Sequence, residues 1–124
     1  MEYAFTQGPP ITEEEALAEG ERLGFHVLAF DQVTPEDEAL HWHEFAAVTW
    51  AIEGTGAFED GNGTVTQVQP GCRVQAPAGW LHRNLAGPPM RLVIATDLPG
   101  ERWTSPIDKD PAARPDHLGG PVAN

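Results

Sequence analysis

The regular spacing of turn-forming residues along the chain constrains its fold more than any other feature of the sequence. Between residues 25 and 97, short apolar runs alternate with Gly, Pro, Asn and Asp, and the whole chain of 124 residues contains 13 glycines and 12 prolines. Short strands at this spacing are typical of an all-β sandwich or a small barrel. The candidate strands are 25–33, 40–53, 56–60, 64–69, 72–76, 80–85 and 90–97.

The segments on either side of these strands have a different character. The stretch "TEEEALAEGERLG" predicts a short helix, because Thr12 is a suitable N-cap, Glu15 follows three positions later and Gly24 can end it. We therefore divide the chain into an N-terminal extension with a short helix (1–24), a β-barrel (25–98) and a proline-rich tail (99–124). The tail is either loose or laid across the barrel, in which case Trp103 and Ile107 would anchor it.

Composition excludes several classes of partner. The formal charge of −12 repels phosphate backbones and anionic lipid headgroups, so we expect neither nucleic acid nor membrane partners. The N-terminal residues resemble no export signal, and no apolar run approaches the roughly 18 residues that a membrane span needs. A single cysteine, Cys72, suits a reducing compartment, so the sequence predicts a cytoplasmic protein.

The stretch "HWHEFAAVTWAIEGTG", residues 41–56, contains the most informative pattern. Alternate residues of a strand share a face, so His41 and His43 project together. The same face is expected to carry Phe45, Ala47, Thr49 and Ala51, and the opposite face Glu44, Val48, Trp50 and Ile52. Both faces are largely apolar beyond residue 45, which indicates a strand buried on both sides. Because so short a chain is expected to offer no second layer of its own, this pattern predicts a homodimer that covers the outward face.

A second stretch, "GCRVQAPAGWLHRN", spans residues 71–84. Gly71 opens it, Pro77 and Gly79 form a turn, and His82 follows three residues later. Together the two stretches resemble the two motifs of the cupin family of small β-barrels, over about residues 25–97. The chain departs from the family pattern in the first motif, where the leading glycine is absent and Ala47 or Val48 stands at the glutamate position. In the second motif, Asn84 is displaced by two positions.

The resemblance implies a cupin-type jelly-roll barrel with a metal site. It makes His41, His43 and His82 the candidate ligands for one divalent transition metal, which could be Fe, Zn, Ni, Cu or Mn. Without the glutamate, water or substrate would complete the site. Glu44 is an alternative ligand, although strand alternation directs it away from the histidines. The candidate pocket residues are Phe45, Ala47, Thr49, Ala51 and Asn84.

Three functions are compatible with these residues, and the sequence identifies no catalytic residue beyond the ligands. The first is a three-histidine oxygenase or related oxidoreductase acting on a small organic molecule in the barrel, which the resemblance favours. The second is a non-catalytic module that binds or senses a metal or small molecule. The third is a metal-free isomerase or epimerase with His82 or His41 as general base. Trp42, Trp50 and Trp80 are expected in the core or a dimer interface rather than in the pocket.

Overall fold

The computed structural model describes residues 1–118, so residues 119–124 of the predicted tail lie outside the described residues. The elements are β1 (Ala4–Gln7), α1 (Glu13–Arg22), β2 (His26–Thr34), β3 (Ala47–Glu53), β4 (Gly56–Asp60), β5 (Val65–Val68), β6 (Cys72–Ala76), β7 (His82–Asn84) and β8 (Gly87–Thr96), followed by two 3-10 turns at Gly100–Arg102 and Pro111–Ala113. The strands form a five-stranded sheet in the order β1-β6-β3-β8-β2 and a three-stranded sheet in the order β5-β4-β7. All pairings are antiparallel within the part described. This architecture confirms the predicted all-β class with a short N-terminal helix.

Helices play a small part in the described structure. The N-terminal helix is capped as predicted, because the hydroxyl of Thr12 accepts a hydrogen bond from the amide of Glu15 and the Glu15 carboxylate accepts one from the amide of Thr12. Within residues 1–118, no helix has both the length and the apolar character needed to cross a membrane.

The predicted strand 40–53 is wrong at its N-terminal half. Only Ala47–Glu53 forms a continuous strand, between β6 and β8 of the larger sheet. His41 instead makes an isolated bridge with His82 of the smaller sheet, and the chain bends at Glu44 and Phe45. The chain therefore passes from one sheet to the other between the histidines and β3, which a run of alternating residues does not reveal.

Strand limits also differ elsewhere. β8 begins at Gly87, where the prediction placed a turn up to Pro89, and β7 is only three residues long. At the N-terminus, β1 pairs with β6 along the edge of the larger sheet. Gly71, the residue directly before β6, has a φ of +93°, and a Cβ there would lie 2.6 Å from the carbonyl oxygen of Gly8. The sheet thus includes residues before the predicted barrel limit at 25.

The outward face of β3 is covered by α1 of the same chain. Ala16 of the helix forms a buried cluster with Val48, Trp50, Val93 and Ala95 of the sheet. Ile52 packs against the same cluster. The premise that the chain cannot cover this face by itself was wrong, so the homodimer stays a prediction without that support.

A second buried cluster lies between the two sheets. It consists of Ala51, Cys72, Met90 and Leu92, with partly buried neighbours around it. Cys72 is a free thiol there, and burial raises its pKa, so it is a packing residue rather than a nucleophile. Ala51 and Trp50 therefore face opposite layers, as strand alternation predicts.

Candidate metal centre

Three histidines meet at one end of the space between the sheets. His41 and His82 exchange backbone hydrogen bonds of 2.9 and 3.0 Å, which brings their side chains together across the bridge. The ring centroids of His41 and His82 are 4.5 Å apart, and His43 lies 5.0 Å from each. One ring nitrogen from each residue lies within 4.8 Å of the other two. The predicted ligand set is therefore assembled in a geometry that could hold a metal ion.

Each imidazole is oriented by a backbone carbonyl. The Nδ1 atoms of His41, His43 and His82 lie 2.8, 3.1 and 3.0 Å from the carbonyl oxygens of Ala39, Ile107 and Trp80. A carbonyl oxygen only accepts hydrogen bonds, so each Nδ1 carries the proton and donates it. Nε2 of each neutral ring is then left with a free lone pair, which is the tautomer that a metal ligand needs.

Burial keeps the rings of His43 and His82 neutral. Burial lowers the pKa of His82 to about 3, with further lowering by the neighbouring positive forms of His43 and His41. Burial also lowers the pKa of His43, against the opposing effect of its hydrogen bond to Ile107. Neutral imidazole is the form that binds metal, so the donor set fits a divalent transition metal at neutral pH.

Aromatic rings flank the cluster. Trp80 stacks on His82 with a centroid distance of 4.7 Å, and Phe45 stacks on His43 at 5.0 Å. Trp103 stacks on the other side of Phe45 at 4.4 Å. The prediction that Trp80 lies in the core or an interface was wrong, since it lines the cavity. Its position two residues before His82 in extended chain is the signal that could have placed it there.

A cavity of about 460 Å³ extends from the histidines between the two sheets. The predicted pocket residues all line it, namely Phe45, Ala47, Thr49, Ala51 and Asn84. Most of the remaining lining is apolar and comes from β2, β4, β6 and β8. Whether these residues bind a substrate stays a prediction. A volume of this size accommodates a small organic molecule.

Two carboxylates at the cavity were not expected from the sequence. Glu38 lines it, and its Oε1 accepts hydrogen bonds from the amide and the side-chain Nδ2 of Asn84, at 3.0 and 2.8 Å. Asp108 also lines it, with Oδ1 3.6 Å from Nε2 of His41 and 3.6 Å from Nδ1 of His43. The acidic run just before His41 hinted at Glu38, whereas no local pattern indicated Asp108.

Glu44 faces away from the histidines, as alternation predicts. Its Oε2 accepts hydrogen bonds from the amide and hydroxyl of Thr104, at 2.7 and 2.9 Å, and lies 3.5 Å from Nζ of Lys109. The hydrogen bond from the Thr104 amide is the main reason that the pKa of Glu44 is lowered. Glu44 therefore holds the tail rather than the metal position.

The tail segment 103–110, which we call the C-terminal strap, lies across the cavity mouth. Trp42 and Lys109 form an antiparallel bridge with backbone N···O distances of 3.2 and 3.0 Å. The indole of Trp42, which is buried as predicted, donates to the carbonyl of Asp110 at 2.9 Å. Trp103 packs on Phe45, while Ile107 contributes its carbonyl to His43 and keeps an exposed side chain. The described part of the tail is thus laid across the barrel.

Comparison with known proteins identifies the fold. No family model matches the chain, and no curated protein matches its sequence. Solved structures do match it. The protein NMB1881 from Neisseria meningitidis is 23% identical with a TM-score of 0.52, over 60% of this chain and 75% of that one. A DUF861 family protein from Thermotoga maritima is 18% identical with a TM-score of 0.51, over 75% of this chain and 97% of that one.

A third similar structure is the DMSP lyase DddQ from Ruegeria pomeroyi. It is 15% identical with a TM-score of 0.50, and the match covers 58% of this chain but only 37% of that one. Identities this low show the fold alone. The chain is therefore a small single-domain protein with the cupin fold, in which three histidines form a cluster that could bind a metal ion.

Proposed function

We propose that this protein is a metal-dependent enzyme acting on a small organic molecule, and that its reaction is an oxygenase-type oxidation. The observation that carries this proposal is the convergence of His41, His43 and His82 at one end of a largely apolar cavity. Each ring is oriented by a hydrogen bond from Nδ1 to a backbone carbonyl, which leaves Nε2 for a metal. A bound divalent transition metal would supply Lewis acidity and, if it is redox-active, reactivity toward dioxygen.

The cavity indicates what kind of molecule would bind. Its walls present Phe45, Ala47 and Ala51 beside the histidines, with Thr49 and Asn84 as the nearby polar groups of β3 and β7. Such a lining favours a substrate with an apolar body and one or two polar atoms directed at the histidines. Ala47 leaves space beside the histidines that a longer side chain would fill. These residues would bind and orient the substrate and exclude water from it.

An acid–base mechanism without a metal has less support. It needs a carboxylate that is free to move a proton inside the cavity. Glu38 is already engaged by two hydrogen bonds from Asn84, and Asp108 lies at the half-exposed edge of the cluster. We therefore rank the isomerase or epimerase reading below the metal-dependent one.

The first experiment is measurement of metal content by mass spectrometry on protein purified without an affinity tag. We compare the wild type with His82→Ala and with His26→Ala, which removes an exposed imidazole outside the site. We expect about one transition metal ion per chain in the wild type and in His26→Ala, and a loss of at least about tenfold in His82→Ala. Equal metal in all three proteins would contradict the three-histidine site.

Turnover separates an enzyme from a binding module. With the metal that is found, oxygen consumption is measured against a panel of small thiols, diketones and other bidentate molecules. The panel also includes sulfonium compounds assayed for elimination, because one structurally similar protein is a DMSP lyase. Substrate-dependent oxygen uptake that His82→Ala lacks would support the oxygenase. Metal binding with tight ligand binding and no turnover would instead favour a non-catalytic module.

A further inference from the structure

A metal site formed by the three histidines alone has no negatively charged ligand. Along the cavity side of the segment from His41 to Ala51, the positions after His43 hold Phe45, Ala47 and Thr49, none of which is a carboxylate. Three neutral imidazoles leave the full charge of a divalent ion uncompensated in a partly buried site. A carboxylate from elsewhere in the chain would therefore stabilise the bound ion.

The C-terminal strap brings such a group to the histidines. The antiparallel bridge between Trp42 and Lys109 sets the residue before Lys109 beside the residue after Trp42, which places Asp108 next to His43. Hydrogen bonds to main-chain atoms hold both neighbours of Asp108, since the carbonyl of Ile107 accepts from the His43 side chain and the backbone of Lys109 pairs with that of Trp42. The main chain at Asp108 is therefore well positioned, while its side chain is 56% exposed.

The distance between Asp108 and His41 is close to that between two ligands of one metal ion. Nδ1 of His41 donates to Ala39, so the neutral ring presents a lone pair at Nε2, and this atom lies 3.6 Å from Oδ1 of Asp108. Two electron-pair donors facing each other at this distance repel unless a cation lies between them. Ligand atoms about 2.1 Å from one ion, at about 90–110° to each other, are about 3.0–3.5 Å apart. Asp108 lies on the solvent side of the cluster, and its Oδ1 is also 3.6 Å from His43, but there the near atom is the protonated Nδ1 and not the metal-binding Nε2.

We propose that Asp108 is a fourth metal ligand, supplied by the C-terminal strap in place of the carboxylate that β3 lacks. This inference rests on the metal site proposed above. It assigns the strap a role in the site itself, since folding of residues 103–110 over the cavity would complete the coordination of the ion. The ligand set would then be three imidazoles and one carboxylate, with the carboxylate approaching from the tail and not from the histidine strand.

The test uses four full-length proteins: wild type, Asp108→Asn, His82→Ala and the control Asp116→Asn. Asp116 is an exposed aspartate of the same tail, so its substitution removes the same charge away from the histidines. Zn(II) affinity is measured by competition with a chromogenic chelator, and the Co(II) form is examined by visible absorption. We expect Asp108→Asn to bind Zn(II) at least about tenfold more weakly and to change the Co(II) ligand-field bands, with Asp116→Asn like the wild type.

Other outcomes would overturn the assignment in distinguishable ways. Wild-type affinity and an unchanged Co(II) spectrum in Asp108→Asn, with binding lost in His82→Ala, would remove Asp108 as a ligand and leave the three-histidine site intact. Weaker binding with an unchanged spectrum would show a purely electrostatic effect and would also overturn ligation. An equal loss in Asp116→Asn would do the same. Absence of binding in the wild type would overturn both this inference and the proposed metal enzyme.

Discussion

His82 shows how one residue links the fold to the site. It forms the only backbone bridge between the histidine segment and β7 among the isolated bridges of residues 1–118, and its ring stacks on Trp80. The same burial that positions the ring lowers its pKa to about 3. A buried neutral imidazole is favourable for metal binding, but it resists protonation. The metal-free protein is therefore expected to be less stable toward unfolding in acid.

The sign and size of this effect follow from linkage. The folded-state pKa of His82 lies below the unfolded value of about 6.5, so the unfolded chain binds more protons between these two values. The free energy of unfolding of the metal-free protein should thus fall as the pH falls from about 6.5 toward about 3. For this one group, the loss between about pH 6.5 and about pH 5 is up to about 1.5 kcal/mol.

A comparison of urea unfolding at these two pH values, in the presence of a chelator, measures the effect. The matched variant His82→Gln removes the titrating ring while keeping a side-chain donor. Between about pH 6.5 and about pH 5, the free energy of unfolding of this variant should fall less than that of the wild type, with a difference of up to about 1.5 kcal/mol. Carboxylates titrate mostly below this range and contribute little to the difference. The same pH dependence in both proteins would show that the ring of His82 is not held neutral by the fold.

At the scale of the element, α1 lies very close to the sheet it covers. Gly20 is buried in the helix, and a Cβ there would lie 2.5 Å from Cγ1 of Val27 and 2.9 Å from Cβ of Ala95. The side chain of Val27 can turn, but the Cβ of Ala95 is fixed by the sheet. The absence of a side chain at this position is therefore what allows the helix to cover Trp50.

Substitution Gly20→Ala distinguishes helix propensity from packing. In an exposed helix interior the change would stabilise the protein by about 1 kcal/mol. Here we expect a loss of about 1–3 kcal/mol, because the added methyl group displaces the helix from the sheet. Denaturant unfolding measures the change, with the neighbouring exposed Glu21→Ala as control, which should stay within about 0.5 kcal/mol of the wild type. A Gly20→Ala protein as stable as the wild type would show that the helix is packed less tightly.

The strap is an element without regular secondary structure that is nevertheless held at several points. Glu44 accepts two hydrogen bonds from Thr104, and the ammonium group of Lys109 donates to the Thr104 hydroxyl. The Trp42 indole donates to the carbonyl of Asp110. These bonds satisfy polar groups that a loop over an apolar cavity would otherwise leave without partners. They also explain why Glu44 stands on the face opposite to the histidines.

At the scale of the molecule, the two buried clusters lie entirely within residues that precede the strap. A chain ending at Leu98 should therefore still fold, which also tests the predicted domain limit. We expect it to unfold in one transition with a stability lower by about 2 kcal/mol or more, since it loses the Trp103–Phe45 stack and the bonds to Trp42. Its Zn(II) affinity should be at least about tenfold lower than that of the full chain.

Circular dichroism melts and the chelator competition measure both effects. A chain ending at Leu118 is the control, because it keeps every contact of the strap described above. If the chain ending at Leu98 shows no cooperative transition, the strap is part of the folding unit and the limit at 98 is wrong. If it binds Zn(II) as tightly as the control, the strap contributes nothing to the metal site.

Much of the site was predictable because it depends on local order. Alternation along the strand identified the residues that share the cavity side with the histidines, and the resemblance of "GCRVQAPAGWLHRN" to the second cupin motif added His82. The same alternation correctly separated Ala51 from Trp50. It did not reveal that the strand is interrupted between His41 and Ala47, because a bend that transfers the chain between sheets leaves the period of the side chains almost unchanged.

The sequence by itself determined the all-β class and the capped helix, since turn residues, capping pairs and strand periodicity act over a few neighbouring positions. The three histidines were identified by the resemblance of two short motifs to those of the cupin family. Only the tertiary structure decided which layer covers Trp50 and which carboxylate meets the histidines. Contacts such as the one between Trp42 and Asp110, 68 positions apart, join segments with no shared periodicity. Their partners are selected by packing of the whole chain, where the free energy depends on which surfaces remain to be covered after the sheets have formed.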